Sequence, residues 1–286
     1  MIRFVEDKDH CQVKVLWRDV FGDSAEAIEF YFSNRHRNQD MLVAEMDGVI
    51  AGMLTMLPLM LEFGQKIRPG RYIYAVATAP TYRNQGISTQ LLAYCHTYMA
   101  ENKETAAVLT PASDSLFVFY EKRGYKTVFY NNSITLVSSE LPQCPQDAVC
   151  TLCDVEDFYR IRDAYFSDSL LFVRWGKEQL AYISQSAQAF GDGVYHFRTE
   201  TGEGYAFCGW RGPGIYIREI ALIHMELSSA VSILHQTLGA SEYDLFLPEG
   251  SIEGNIPSPF GMIHYIEDAP VSGGGGKPPY LALVLD

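Results

Sequence analysis

Apolar and polar residues alternate along the first half of the chain in runs that predict an alternation of strands and helices. Apolar residues recur on one helical face across Cys11–Phe21, which predicts a helix there. The dipeptide Asp47-Gly48 separates two apolar runs, Met41–Glu45 and Val49–Leu61, and predicts a β-hairpin because Asp-Gly suits the tight turns between antiparallel strands. The other predicted elements are strands at Ile2–Val5, Arg71–Thr78, Ala106–Leu109 and Lys126–Leu136, and helices at Ala25–Asn34, Ser88–Ala100 and Ser115–Lys122. This β-α-α-β-β-β-α-β-α-β order predicts an α/β layered domain with a central mixed sheet flanked by helices.

The second half repeats this order of elements. Stretches of six residues that begin at Arg71 and at Ile215 each follow a predicted hairpin and precede a predicted helix, so we interpret the halves as a diverged internal repeat. The other interpretation is a smaller α+β domain that shares the order. The predicted boundaries are a first domain at 1–138, a linker at 139–153 and a second domain at 154–286. The predicted elements are helices at Val155–Tyr165, Lys177–Ala187 and Glu226–Leu238, and strands at Tyr195–Thr199, Tyr205–Trp210, Ile215–Leu222, Tyr243–Leu247 and Tyr280–Leu285.

The composition narrows the classes of function. Hydrophobic residues make up 48% of the 286, enough for a sizeable core. The net charge of -13 argues against a nucleic-acid partner and is compatible with a cationic one. A charged N-terminus and the absence of a long apolar stretch predict a cytoplasmic protein without a membrane partner. Cys150 and Cys153, with Cys144 nearby, have zinc-ligand spacing, but no second pair follows, so we predict reduced thiols and no metal.

The segment from Val76 to Leu92 carries the most informative local pattern. A predicted strand runs into a short loop that opens a helix, and the first amides of a helix lack intrahelical partners and lie at the positive end of its dipole. The backbone of Arg83–Ser88 can therefore receive a pyrophosphate. Gly86 lets the backbone approach the phosphate because it has no Cβ. The Arg83 side chain can add a charge-assisted contact or pack structurally.

This segment resembles the cofactor loop of the GNAT acetyltransferases, whose signature is Gln or Arg, two residues, Gly, one residue, then Gly or Ala. Here it reads Arg83-Asn84-Gln85-Gly86-Ile87-Ser88, with a departure at Ser88. A second GNAT landmark follows at the expected separation, as Phe119-Tyr120-Glu121-Lys122-Arg123-Gly124-Tyr125. The resemblance covers roughly residues 1–137, and the repeat resembles tandem GNAT proteins. Ala221–Ser229 has no equivalent of the glycine loop, so the second half is expected to be a degenerate copy that binds no cofactor but shapes the acceptor site.

The resemblance implies a GNAT fold, present twice, and acetyl-CoA as the cosubstrate without a metal. It implies that Tyr120 is the acid that protonates the leaving thiolate, and the alternative is that Tyr120 only packs in the core. It also implies that a backbone amide near Val76–Thr78 stabilises the oxyanion. Ser113 occupies a position where family members often have a cofactor-binding Asn. The predicted cofactor-binding residues are Val76, Ala77, Thr78, Arg83, Asn84, Gln85, Gly86, Ile87, Ser88 and Ser113.

Two functions remain open at the level of sequence. The first is an N-acetyltransferase in which a primary amine attacks acetyl-CoA directly in a ternary complex; a variant transfers another acyl group. The second is a non-catalytic acyl-CoA-binding sensor or scaffold. The acceptor is expected to be a small-molecule or peptide amine, with a cationic compound as one option. A homodimer is one option for the assembly. No general base is assigned; a water chain, Glu45 or the C-terminal carboxylate of Asp286 are the candidates.

Overall fold

A computed structural model describes residues 1–64, 66–267 and 276–283. The chain forms two compact units that interleave along the sequence. The first unit comprises Met1–Leu61, Arg68–Thr127 and Gly261–Pro270, and the second comprises Glu62–Ile67, Val128–Phe260 and Val271–Asp286. The helices of the described residues are α1 His10–Phe21, α2 Ala25–Asn34, α3 Ile87–Glu101, α4 Asp114–Glu121, α5 Val155–Phe166, α6 Lys177–Ala189 and α7 Leu227–Leu238. The strands are β1 Ile2–Phe4, β2 Met41–Met46, β3 Val49–Phe63, β4 Lys66–Thr78, β5 Ala106–Leu109, β6 Lys126–Val137, β7 Val149–Leu152, β8 Phe172–Arg174, β9 Gly193–Arg198, β10 Glu203–Arg211, β11 Gly214–Ile223, β12 Glu242–Pro248 and β13 Ser258–Tyr265.

The first unit is built on a mixed sheet with the strand order β1-β2-β3-β4-β5-β13. β4 and β5 are parallel and are connected through α3, whereas β13 lies antiparallel to β5. Local signals fix the helix ends: the Ser24 hydroxyl accepts a hydrogen bond from the Ala27 amide (3.1 Å) at the start of α2, and Gly22 closes α1 in the left-handed conformation. The apolar face of α3 is buried in the core of this unit through Ile87, Leu91, Leu92, Cys95 and Met99.

The second unit follows the same plan with the strand order β6-β12-β11-β10-β9-β7. β11 and β12 are parallel and connected through α7, and β6 lies antiparallel to β12. Strand for strand, β7, β9, β10, β11 and β12 therefore correspond to β1 through β5. The repeat predicted from the sequence is present, and the mixed α/β fold agrees with the predicted class.

The second unit also contains a buried charged cluster. The Glu219 carboxylate on β11 is fully buried and accepts hydrogen bonds from the Arg162 guanidinium (3.0 Å) and from the hydroxyls of Tyr205 and Tyr280 (3.1 Å for Tyr280). These three side chains all donate hydrogen bonds to the carboxylate, and their bonds compensate for the loss of its hydration. Tyr280 also forms an isolated bridge with Phe172, within the strand predicted for Tyr280–Leu285; residues 284 and 285 of that prediction lie outside the described residues.

The element order of the first half is as predicted, and most bounds differ by only a few residues. Two features of the second half differ from the sequence analysis. The predicted linker at 139–153 contains β7, which pairs with β9 from Val149↔Arg198 to Leu152↔Tyr195. The strand β13 was not predicted, and it joins the first unit from Gly261 onward, while β6 joins the second from Val128 onward. The compact units therefore interleave, in contrast to the consecutive domains expected from the sequence.

Candidate active site

Among the residues that the structure describes, part of β4 has no neighbouring strand on the side that pairs with β5. The parallel pairing of β4 and β5 runs from Gly70↔Ala106 to Tyr72↔Val108, while β4 itself continues to Thr78. Within this continuation Ala75 has a φ of 51°, a left-handed conformation that interrupts the regular extended backbone. The last residues of β4 can therefore offer main-chain N–H and C=O groups to an extended ligand, which would pair with β4 as an added strand.

The loop after β4 ends at the N-terminus of α3. Asn84 and Gly86 both have positive φ angles, 63° and 77°, a conformation that Asn and Gly adopt more readily than other residues. The first helical bond of α3 runs from the Gln90 amide to the Gly86 carbonyl (3.0 Å), so the amides of Ile87 and Ser88 precede the helical ladder. A Cβ built on Gly86 would have Gln90 Nε2 at 3.9 Å as its nearest neighbour, so the protein leaves open space above this residue.

Side-chain contacts hold the loop against the end of β4. The hydroxyls of Thr78 and Ser88 lie 2.8 Å apart, which joins the last residue of β4 to the first turn of α3. Ser88, the departure from the GNAT signature, therefore has a structural partner. The Arg83 Nε donates to the Thr78 carbonyl over 3.4 Å, and the guanidinium is otherwise exposed to solvent.

Gly52 on β3 packs closely against this junction, a role that was not predicted from the sequence. A Cβ at this position would lie 2.7 Å from Ile87 Cγ2 and 3.0 Å from the Ala77 carbonyl oxygen. Glycine is therefore required for β3 to approach both the end of β4 and the start of α3. A glycine inside an apolar strand is a signal for such close approach, so the sequence did contain a hint of it.

The electrostatic environment of the junction differs from that of the chain as a whole. The chain has 35 acidic and 22 basic residues, yet the segment from Phe63 to Ala100 contains no Asp or Glu. It carries Arg83 in the loop itself. The helix dipole of α3 adds partial positive charge at the same place, so the junction suits an anion.

The second landmark of the sequence, Phe119–Tyr125, comprises the last residues of α4 and the four residues that follow the helix. Gly124 has a φ of 85°, the Gly124 amide bonds the Glu121 carbonyl (3.0 Å), and the Tyr125 amide bonds the Tyr120 carbonyl (3.2 Å). This is the Schellman arrangement that ends helices at a left-handed glycine. Its usual apolar contact is here made by the rings of Tyr120 and Tyr125, with centroids 5.5 Å apart. The spacing of the motif therefore fixes where the Tyr120 ring lies.

Tyr120 is buried, with 7% of its surface exposed. Burial raises the pKa of its phenol to about 12, and the nearby Arg123 cation partly opposes this increase. The phenol is therefore protonated at neutral pH and can donate a hydrogen bond. Arg123 ties the end of α4 to α3, because its Nε donates to Thr89 Oγ1 (2.9 Å) while its Nη1 donates to the Phe119 carbonyl (2.6 Å). Arg123 was part of the quoted motif, but no role for it was predicted.

A stacked pair of histidines lies beneath the same motif. His96 on α3 stacks on His264 of β13 with ring centroids 4.1 Å apart, and its Nε2 lies 2.9 Å from the Tyr125 hydroxyl. Burial, with a smaller contribution from His264, lowers the pKa of His96 to about 4. His96 is therefore neutral at physiological pH, and the stack carries no charge repulsion from it.

The remaining predicted site residues have simpler surroundings. Val76 is half-buried and Ala77 is buried at the end of β4. Gln85 is exposed in the loop. Ser113 is exposed and directly precedes α4, with its hydroxyl 3.0 Å from that of Ser115. The structure thus brings the predicted loop residues to one strand–helix junction and links α4 to that junction through Arg123. Their roles toward a cofactor stay predictions.

The candidates for a general base are less favourable. The Glu45 carboxylate accepts two hydrogen bonds from the Arg3 guanidinium (3.1 and 2.7 Å), so it is already paired. Asp286 lies outside the described residues. Among the residues that the structure describes, there is no group of three His, Cys, Asp or Glu side chains able to hold a metal ion. In that same part of the chain, no helix combines the length and apolar character needed to cross a bilayer.

Comparison with known proteins relates the first part of the chain to an acetyltransferase family. Residues 1–128 match the family model of the acetyltransferase (GNAT) domain. The fold resembles a GCN5-related N-acetyltransferase from Anabaena variabilis (TM-score 0.75, 13% identity, 93% of this chain and 73% of that chain). It also resembles a conserved protein of unknown function from Enterococcus faecalis (TM-score 0.74, 15% identity, 93% of this chain and 72% of that chain). A third similar structure is Eis1 from Mycobacterium abscessus (TM-score 0.69, 14% identity, 93% of this chain and 74% of that chain). At these identities the structural likeness concerns the fold. No curated protein sequence matches the chain significantly.

Proposed function

Because residues 1–128 are a GNAT acetyltransferase domain and the protein is accordingly a GNAT-type acyltransferase, we propose that it transfers an acetyl group from acetyl-CoA to a primary amine. The amine attacks the thioester directly while both substrates are bound. The observation that carries the proposal is the free edge of β4 beside the N-terminus of α3. The edge of β4 suits the extended amide arm of acetyl-CoA, and the N-terminus of α3 suits its pyrophosphate.

The chain would act on acetyl-CoA mainly through its backbone. Main-chain groups of Val76–Thr78 would pair with the extended arm and hold the thioester near the end of β4. The amides of Gly86, Ile87 and Ser88 would bind the pyrophosphate, with Arg83 available for a further contact. This arrangement supports catalysis by positioning, since holding two reactants in one geometry removes much of the entropic cost of their encounter.

The proposed step is a balanced acyl transfer. The neutral amine nitrogen forms a bond to the carbonyl carbon, the carbon–sulfur bond breaks, and the amine proton is released to water. A backbone N–H near Val76–Thr78 would donate to the oxygen as negative charge develops on it. The departing sulfur carries the displaced electron pair as a thiolate.

Tyr120 would stabilise this thiolate by donating a hydrogen bond. A phenol with a pKa of about 12 is a weaker acid than a thiol with a pKa of roughly 8.5, so hydrogen-bond donation is favoured over complete proton transfer. Burial keeps the phenol protonated over the whole physiological range, so the donor is always present. This refines the simple acid role that the resemblance implies.

The acceptor belongs to the amines of small molecules or peptides. The net charge of -13 favours a cationic acceptor, because a negative protein field attracts cations. We place the reaction in the cytoplasm, because the proposed enzyme must work where its donor, acetyl-CoA, is present.

A panel of acceptors tests the proposal. The full chain is incubated with acetyl-CoA and a polyamine, an amino acid, an aminoglycoside or a lysine peptide, and free thiol release is followed together with the mass of the product. A reaction without acceptor corrects for the protein's own thiols, of which Cys11 is exposed. Acetylated product with intersecting initial-rate lines supports direct transfer. Tight acetyl-CoA binding without product from any amine would favour the sensor alternative.

A further inference from the structure

The second unit contains a cavity that is separate from the strand–helix junctions. Its volume is about 300 Å³, and it lies over the N-terminal part of β11 and the end of β10. This volume is at the lower limit for small-molecule pockets. Every lining residue belongs to the second unit. The lining includes Asp192, Trp210, Arg211, Tyr216, Arg218 and Phe246.

The charge of the lining is opposite to that of the chain. Two arginines, Arg211 and Arg218, face a single carboxylate, that of Asp192. Asp192 is partly engaged already: its Oδ1 accepts the Trp210 amide over 3.3 Å, and its Oδ2 lies 3.8 Å from Arg218 Nη2. Arg211 forms no ion pair with any residue that the structure describes. Among the described residues that line the cavity, basic side chains therefore outnumber acidic ones by two to one, which favours an anionic ligand.

Aromatic rings form another part of the wall and contact the guanidinium groups. Arg211 Cζ lies 5.0 Å from the centroid of the Tyr216 ring, and Tyr216 packs against Phe246 at 4.9 Å. The Trp210 side chain is 50% exposed. A guanidinium stacked on an aromatic ring keeps its edge free for bidentate bonds to a carboxylate or phosphate. An exposed indole beside it offers a flat surface for a ring.

We propose that this cavity binds a small planar anion, an aromatic ring that carries a carboxylate or a phosphate. The anionic group lies on Arg211, with Arg218 adding charge from the floor, and the ring stacks on Trp210 and Tyr216. Aryl carboxylates and nucleoside monophosphates share this chemistry. The site is independent of the acetyl-CoA site and of the acyl-transfer proposal.

Tryptophan fluorescence and calorimetry on the full chain test the site without acetyl-CoA. Trp17 and Trp175 are 2% exposed, so Trp210 is the one tryptophan of the three that a ligand in this cavity can contact. The probes are 4-hydroxybenzoate and adenosine monophosphate, and their uncharged counterparts are 4-hydroxybenzamide and adenosine. The variant is Arg211→Gln, and the matched control is Arg198→Gln, which removes the same charge from an exposed position on β9 outside the cavity.

We expect at least one anionic probe to quench the fluorescence saturably and its uncharged counterpart to bind roughly tenfold more weakly. Arg211→Gln should weaken the anion by a similar factor, while Arg198→Gln should stay within about twofold of the wild type. Stronger binding of the benzoate assigns a carboxylate, and stronger binding of the nucleotide assigns a phosphate. No binding of either anion, equal binding of the uncharged probes, or equal loss in the two variants would each overturn the proposal.

Discussion

The junctions β4–α3 and β11–α7 share one strand frame, a pair of parallel strands that are paired over only part of their length. They differ in the segment that connects the strand to the helix. In both, a strand pairs with its parallel neighbour over three residues and then continues past the end of that pairing, to Thr78 in the first unit and to Ile223 in the second. In the first, eight residues separate the strand from its helix, and Gly86 precedes the helix. In the second, three residues do so, and Glu226 precedes the helix.

This difference separates two contributions to a binding site. The divergent parallel strands come from the fold and are present in both units. The anion site comes from the connection, because a left-handed glycine and open space are found at Gly86, whereas a carboxylate occupies the helix start at Glu226 and would repel a phosphate. The first unit also has α4 after β5, whereas the described residues between β12 and β13 form turns.

The number of acetyl-CoA molecules bound per chain is the most direct test of the difference between the two junctions. We expect one, in the first unit, because the second junction lacks the connection that leaves helix amides open. Calorimetric titration of the full chain measures this number. Two equivalent sites would show that the strand frame alone is sufficient. A fragment of the first half is unsuitable, since the first unit includes Gly261–Pro270.

Replacing Tyr120 by Phe tests whether α4 adds catalysis to the frame. The substitution keeps the ring contact with Tyr125 and removes the hydroxyl, so acetyl-CoA affinity should change little. We expect kcat to fall by about 10²-fold or more, the usual contribution of a donor that acts in the transition state. Steady-state kinetics and calorimetry give the two quantities separately. A kcat within about twofold of the wild type would reduce Tyr120 to packing.

The histidine stack predicts acid sensitivity in the first unit. His96 has a folded pKa of about 4 and an unfolded pKa of about 6.5, so below pH 6.5 the unfolded chain binds a proton that the folded chain does not. The free energy of unfolding should therefore fall as the pH decreases from 6.5 to 4, and His96 should account for about 3 kcal/mol of this fall. Above pH 6.5, His96 should have no effect on the pH dependence of stability. Denaturant unfolding of wild type and His96→Gln measures the difference. Parallel pH profiles of the two proteins would contradict the prediction.

Gly86→Val and Gly239→Val form a matched pair across the two junction helices. Both glycines have positive φ, 77° and 69°, and neither would place a Cβ in close contact with the protein. Valine strains each backbone similarly, at about 1–3 kcal/mol. We expect Gly86→Val to weaken acetyl-CoA by roughly 10- to 100-fold, and Gly239→Val, at the end of α7, to leave the affinity unchanged. Equal affinities of both folded variants would remove the loop from the site.

Arg123→Gln should give the smallest effect. Losing the bond to Thr89 lets the end of α4 shift relative to α3, so kcat should fall by roughly threefold to tenfold with a smaller change in acetyl-CoA affinity. Lys122→Gln is the control, since it removes the same charge from the exposed neighbouring residue. If both variants behave alike, the effect is one of charge, and Arg123 has no positioning role.

Local patterns predicted the first half well because each element there carries its own signal. The Asp47-Gly48 turn, the helical faces and the spacing from Tyr120 to Tyr125 are all readable within a few residues. The divergence of β4 from β5 was not predictable. It is accompanied by a φ of 51° at Ala75, and an alanine in the sequence does not indicate a left-handed conformation. The link from Arg123 to Thr89 joins residues 34 positions apart and has no pattern.

β13 was missed for a physical reason. Its sequence contains Pro259 and Gly261, both unfavourable inside a strand, and its partner β5 is distant in the sequence. Pairing of this kind is decided by tertiary contacts rather than by local preference. The same applies to β7, a four-residue strand that follows a proline-containing segment.

The late arrival of β13 has a consequence for synthesis of the protein. β5 is completely buried in the finished protein, and its outer edge is covered by a strand encoded about 150 residues later. At a ribosomal rate of about 5–20 residues per second, that edge waits roughly 8–30 s for its partner. A bare apolar edge is a template for pairing with other chains. The nascent first half is therefore a natural client for chaperones, and slow or interrupted translation after residue 109 should yield aggregates rather than a soluble half-enzyme.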